Sequence, residues 1–120
     1  MLKRAVLVSG FLSVFSSSAM AEISALCTDA LDVTVGYTNG AELLVPDAQV
    51  QRVRDNMLAK IEDARLKVSL DKLEDAWLKL EDLKISVSDM ALAAKPKIVQ
   101  QDADNIIGAA SQAQTVCTGL

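Results

Sequence analysis

Residues 73–90, LEDAWLKLEDLKISVSDM, carry apolar side chains at spacings that alternate between three and four. These positions are Leu73, Ala76, Leu80, Leu83, Val87 and Met90. Because a helix has about 3.6 residues per turn, the six side chains lie on one face of it. We therefore predict an amphipathic helix, which ends before Lys95-Pro96 because the residue preceding a proline disfavours helical backbone angles.

Three other segments have the same periodicity and predict three more helices. Their apolar faces consist of Ile23, Cys27, Ala30, Thr34 and Tyr37, then Val50, Val53, Met57, Ile61 and Ala64, and finally Val99, Ala103, Ile106, Ala110, Ala113 and Cys117. Pro46-Asp47 suits the start of the second helix. We expect that helix to end near residues 67–71, with Ser69 as a cap, because its apolar face and that of residues 73–90 are about a third of a turn out of phase.

Residues 31–45, LDVTVGYTNGAELLV, allow two interpretations. The apolar face that starts at Ile23 favours a helix through about Tyr37, with Asn39-Gly40 as its stop. The β-branched residues before Asn-Gly are also typical of a β-hairpin, which would give an N-terminal hairpin followed by three helices. The helix is the preferred prediction.

The N-terminus has the three parts of a secretory signal peptide. Lys3 and Arg4 precede an apolar run from Ala5 to Phe15, and small and polar residues follow as far as Ala19-Met20-Ala21. A basic start, a short apolar region and an Ala-x-Ala site predict cleavage after residue 21. The apolar run is shorter than the roughly 20 residues that span a membrane. We expect residues 22–120 to form a single helical domain that is periplasmic or secreted, without a membrane anchor.

The chain has two cysteines, Cys27 and Cys117, and an exported protein meets an oxidising compartment in which they can pair. Successive helices of an up-and-down bundle reverse direction, so the start of the first and the end of the fourth lie at the same end. A hairpin with three helices would leave these two positions apart. We therefore predict an all-α, up-and-down four-helix bundle closed by one Cys27–Cys117 disulfide.

Composition excludes several classes of function. The chain has 12 basic and 16 acidic residues, and loss of Lys3 and Arg4 leaves 10 against 16, a formal charge of −6. This balance argues against binding to nucleic acid or anionic membranes. There is no histidine, which removes the commonest general base and the usual catalytic zinc sites. We expect no enzyme activity, no cofactor and no metal, and the carboxylate pairs such as Glu81-Asp82 are typical of a solvated, salt-bridged face.

Part of the helical pattern resembles a known family. The motifs are NMLAKIEDA at residues 56–64, Ala76-x3-Leu80-x2-Leu83-x3-Val87, and Ala103-x2-Ile106-Ile107-x2-Ala110. Over residues 50–114 they resemble the FIMAH domain, a small helical module fused to secreted bacterial hydrolases and other extracellular proteins. The chain departs from the family in lacking its glycine between the first two helices and in adding an N-terminal segment with Cys27. The resemblance implies an accessory or interaction domain without catalytic residues.

These observations predict a non-enzymatic interaction or accessory module for another periplasmic or secreted protein. The candidate interaction residues are Trp77, because large aromatic side chains are enriched at binding hot spots, and the basic pair Lys95 and Lys97. For Trp77, burial at the edge of the core is the preferred alternative, and for the lysines it is an incidental surface cluster. Two other functions stay open, a small-ligand carrier and an acid-stress periplasmic holdase.

Overall fold

The computed structural model describes residues 23–120 of the chain. The signal peptide predicted for residues 1–21 lies outside the described residues. Four helices follow one another, α1 (Ala25–Gly40), α2 (Asp47–Ser69), α3 (Leu73–Leu92) and α4 (Gln100–Thr118). Helix α1 packs against α2 and α4, and α3 packs against the same two helices. The four-helix bundle is confirmed.

Residues 31–45 contain helix as far as Gly40 and no hairpin. Ser24 caps the start of α1, since its hydroxyl oxygen accepts a hydrogen bond from the Cys27 amide at 3.1 Å. The buried Thr34 and Thr38 hydroxyls donate to the carbonyl groups of Ala30 and Thr34, both at 2.8 Å. These bonds let β-branched polar residues lie inside a helical core without an unsatisfied hydroxyl.

The core contains the apolar faces of all four helices. Its buried residues include Leu31 from α1, Met57, Ile61 and Ala64 from α2, Ala76, Leu80, Leu83 and Val87 from α3, and Ala103, Ile106, Ala110 and Ala113 from α4. The inner faces predicted for α2, α3 and α4 are thus confirmed at their centres. The prediction for α1 is wrong at Tyr37, which is 45% exposed. The buried face of α1 includes Leu31 and Thr38 instead, and Tyr37 lies to one side of it.

The disulfide joins the start of α1 to the end of α4, which lie at the same end of the bundle because successive helices run in opposite directions. Cys27, in the first turn of α1, and Cys117, in the last turn of α4, have Cα atoms 4.7 Å apart and an S–S bond of 2.05 Å. Cys27 is almost fully buried. The predicted pairing is confirmed, and such a bond is compatible with a periplasmic or extracellular location.

Paired loops close the opposite end of the bundle. The α1–α2 loop and the α3–α4 loop meet in an isolated antiparallel bridge between Leu43 and Ile98. The Leu44 amide donates to the Lys97 carbonyl at 2.7 Å, and the Val99 amide donates to the Glu42 carbonyl at 3.1 Å. Two loops that are distant in sequence are therefore held in a fixed register.

The α2–α3 connection is a tight turn. Asp71 has a positive φ of 59°, its amide donates to Val68, and the Lys72 amide donates to the Lys67 carbonyl. This pattern is a Schellman motif with aspartate at the left-handed position that glycine usually occupies. The predicted break at residues 67–71 is confirmed, but Ser69 does not cap α3. It is the last residue of α2, and its hydroxyl donates to the Leu66 carbonyl at 2.7 Å.

Candidate functional site

An apolar groove lies between α1 and α4. Leu26, Ala30 and Val33 line it from α1, and Ala109 and Val116 line it from α4. Its volume is about 230 Å³ and it is open to solvent. We call this surface the α1–α4 groove.

The groove exists because the apolar arc of α1 is wider than the core requires. Cys27, Leu31, Thr34 and Thr38 point into the bundle. Leu26, Val33 and Tyr37 lie about a quarter of a turn or more away on the α4 side, and they are 71%, 51% and 45% exposed. Short side chains on α4, such as Ala109, leave the space between the helices open.

The charge around this groove has one sign. Helices α1 and α4 contain no lysine or arginine, whereas both contain aspartates. Asp29 lines the groove itself. The basic residues of the described chain all lie on α2, on α3 or in the connections at the ends of α3. The α1–α4 groove is therefore an apolar surface whose lining contains one charged side chain, the carboxylate of Asp29.

A second apolar row lies on α3. Leu78, Ile85 and Leu92 recur every seven residues and are 53%, 51% and 77% exposed. They point directly away from the core face of α3, and carboxylates such as Asp82 and Asp89 share this side of the helix. This row lies on a single convex helix. A partner would therefore make less contact with it than with a groove formed by two helices.

Trp77 lies one position after the buried Ala76 and is partly buried at the edge of the α3–α4 contact. Its backbone carbonyl accepts a hydrogen bond at 3.1 Å from the side chain of Gln114, which is 4% exposed. The Gln114 side chain also donates to Glu81 at 3.0 Å and accepts from Lys84 at 2.9 Å. Trp77 therefore lies beside a polar cluster that joins α3 to α4.

This cluster changes the acidity of one carboxyl group. The hydrogen bond from Gln114 has the largest effect and lowers the pKa of Glu81. Partial burial opposes it, and the hydrogen bond and charge of Lys84 add smaller decreases, so the pKa is lowered overall. Glu81 and Lys84 also form an ion pair at 3.3 Å. A lowered pKa keeps Glu81 ionised and makes it a poor proton donor near neutral pH, so its observed role is structural.

Other members of the carboxylate pairs also form ion pairs. Arg65 contacts Glu62 on its own helix and Asp32 on α1, at 3.1 and 3.0 Å, and Lys79 on α3 contacts Asp63 on α2 at 3.2 Å. These contacts connect neighbouring helices. They agree with the prediction of a salt-bridged face.

The structure does not bring the candidate residues together. Trp77 is near the disulfide end of α3, whereas Lys95 and Lys97 are exposed in the α3–α4 loop at the opposite end. From Trp77 to the end of α3 at Leu92 the helix rises by about 22 Å. One small ligand cannot contact all three residues.

Among residues 23–120, no helix combines the length and apolar character needed to cross a membrane. Within the same range, no three cysteine, aspartate or glutamate side chains are grouped so that they could hold a metal ion. No protein-family model, curated protein or solved structure matches the chain.

Sequence reasoning did not identify the α1–α4 groove, although a signal was present. Leu26, Ala30, Val33 and Tyr37 are spaced by four, three and four, which is itself a helical face. This face lies beside the buried one, so α1 has two adjacent apolar faces. A helix with so wide an apolar arc has more apolar surface than one bundle core buries.

Proposed function

We propose that this chain is an exported, non-enzymatic interaction module that binds an apolar helix of another periplasmic or secreted protein in the α1–α4 groove. The observation that carries the proposal is that Leu26 and Val33, which are 71% and 51% exposed, line an apolar groove. Contiguous exposed apolar surface is typical of protein interaction sites. The resemblance to FIMAH domains, which accompany secreted proteins, supports the same class of function.

The charge of the groove specifies the chemistry of the partner. Because α1 and α4 carry aspartates and no basic residue, a partner with acidic flanks would be repelled. A helix with an apolar face and flanking lysines or arginines would complement both the groove and its border. Recognition of an apolar helix face by a hydrophobic groove is a common mode of peptide binding.

Export of the chain rests on two features. The N-terminal pattern predicts a signal peptide cleaved after residue 21, and the buried disulfide needs an oxidising compartment to form. Mass spectrometry of protein recovered after expression of the full-length chain tests the cleavage. A mature N-terminus at Glu22 is expected, and a purified chain that still begins at Met1 would contradict export by this route.

Paired surface variants test the groove. Leu26→Ser with Val33→Ser removes the two large exposed apolar side chains that α1 contributes to the groove, whereas Leu78→Ser with Ile85→Ser removes side chains of comparable exposure from α3. A partner captured from exported proteins should bind the groove variant at least tenfold more weakly and the α3 variant with unchanged affinity. Equal binding by both variants, or loss only in the α3 variant, would refute the proposed surface.

A further inference from the structure

The protein also contains a basic pocket on the opposite side of the bundle, between α2 and α3 near the paired loops. Arg52 and Lys60 line it from α2, and Lys97 lines it from the α3–α4 loop. The volume is about 280 Å³. Val53 and Met90, both partly exposed, supply apolar surface in the same pocket. We call this the basic pocket.

The positive charge in this pocket is not neutralised by the protein. No acidic side chain lines the pocket, and Arg52, Lys60 and Lys97 take part in none of the ion pairs found within residues 23–120. The chain as a whole has more acidic than basic residues. Three like charges around one pocket repel each other, and a bound anion would relieve this repulsion.

The backbone fixes the positions from which these basic side chains extend. Arg52, Asn56 and Lys60 follow one another at intervals of four and therefore lie on one face of α2. The Lys97 carbonyl accepts from the Leu44 amide at 2.7 Å, and the Lys97 amide donates to the Met90 carbonyl at 2.9 Å. The backbone of Lys97 is thus fixed to α3 and to the α1–α2 loop, so the three basic side chains extend toward the pocket from well-defined backbone positions.

We propose that the basic pocket binds a small molecule with an oxyanion head, a carboxylate or a phosphate, and a short apolar substituent. The Arg52 guanidinium and the two ammonium groups bind the head, because arginine and lysine form strong charge-assisted hydrogen bonds with such oxygens. The apolar substituent packs on Val53 and Met90. The volume lies just below the usual range of about 300–1,000 Å³ for small-molecule pockets, so the ligand is small.

A neighbouring depression extends the site. It shares Val45, Gln49 and Lys97 with the basic pocket and adds Lys95. Its lining also contains no acidic side chain. The basic loop that the sequence singles out therefore lies at the mouth of the basic pocket, and Lys95 contributes to the attraction of an anion from solution.

Binding of defined probes tests this site. The protein expressed from the full-length chain is titrated at low ionic strength with inorganic phosphate, hexyl phosphate and hexanoate, and amide chemical shifts are followed by NMR. Saturable binding of hexyl phosphate and hexanoate is expected, with shifts concentrated at Asn56, Ser86 and Lys97. Both should bind at least fivefold more tightly than inorganic phosphate, because only they contact the apolar side chains of Val53 and Met90.

Charge variants distinguish a built site from general attraction. Arg52→Gln and Lys60→Gln should each weaken binding about tenfold, the loss expected when one charge-assisted hydrogen bond of about 1.4 kcal/mol is removed. Lys72→Gln removes the same charge at the other end of the bundle and should leave binding unchanged. Absence of saturable binding, equal weakening by Lys72→Gln, or inorganic phosphate binding as tightly as hexyl phosphate would overturn the proposal. The result does not depend on the α1–α4 groove.

Discussion

Reduction of the Cys27–Cys117 disulfide should remove a large part of the stability of the bundle. The cysteines are 90 residues apart. Closing a loop of that length lowers the entropy of the unfolded chain enough to stabilise the folded state by about 4.6 kcal/mol. A domain of this size has a free energy of unfolding of roughly 5–15 kcal/mol. The reduced protein should therefore be folded only marginally, held mainly by the packed core and by the loop bridge between Leu43 and Ile98.

Thermal unfolding followed by circular dichroism measures this loss. For a domain of about 100 residues, 4.6 kcal/mol corresponds to a decrease in melting temperature of roughly 20 °C. The Cys27→Ser, Cys117→Ser double variant should melt near the temperature of the reduced protein and should not respond to reductant. If reduction shifts the melting temperature by less than about 5 °C, the inference that this bond supplies a large part of the stability is wrong.

Three further changes test individual interactions. Asp71→Gly should raise the free energy of unfolding by about 0.5–1 kcal/mol, because glycine adopts a positive φ without the strain that Asp71 bears; an unchanged or lower urea midpoint would contradict this. Gln114→Leu keeps the volume but removes the hydrogen bonds to Glu81 and Lys84, so urea unfolding should show a loss of about 1–3 kcal/mol, and a neutral result would show that the cluster contributes nothing. The pKa of Glu81 in the folded protein is below its value of about 4.3 in the unfolded chain. Ionised Glu81 therefore adds to the free energy of unfolding above about pH 4.3, and this addition is lost as the pH falls through the folded-state pKa. In the Glu81→Gln variant the free energy of unfolding should therefore fall less steeply below about pH 5. A pH profile parallel to that of the unsubstituted protein would refute the role given to Glu81.

Helix α3 was the easiest to predict because it packs closely against both of its neighbours, whereas α1 packs mainly against α4 and contacts α2 less. Helix α3 packs between α2 and α4, so its buried face is narrow and the apolar spacing identifies Leu80 and Leu83 directly. Helix α1 has a wider apolar arc, and periodicity does not show which half faces inward. That is why Tyr37 was expected inside, whereas Thr38 occupies the core.

Contacts between distant segments could not be derived from local patterns. The hydrogen bonds of Gln114 reach residues 30–37 positions away on α3, so nothing near Gln114 indicates that this polar side chain is buried. The pairing of Leu43 with Ile98 likewise depends on two loops that meet only after the helices have packed. The cysteines were predictable because only one intramolecular pairing exists and the bundle topology brings their two positions together.

The proposed interaction is tested most directly by photo-crosslinking from within the groove. A photoreactive amino acid replaces Val33 in the groove or, as the matched control, Ile85 on α3, and the protein is irradiated among the exported proteins of its host. We predict a cross-link at position 33 that is absent at position 85, to a helical segment whose apolar face is flanked by lysine or arginine. Cross-links of equal yield at both positions, or a cross-linked segment with acidic flanks, would contradict the account.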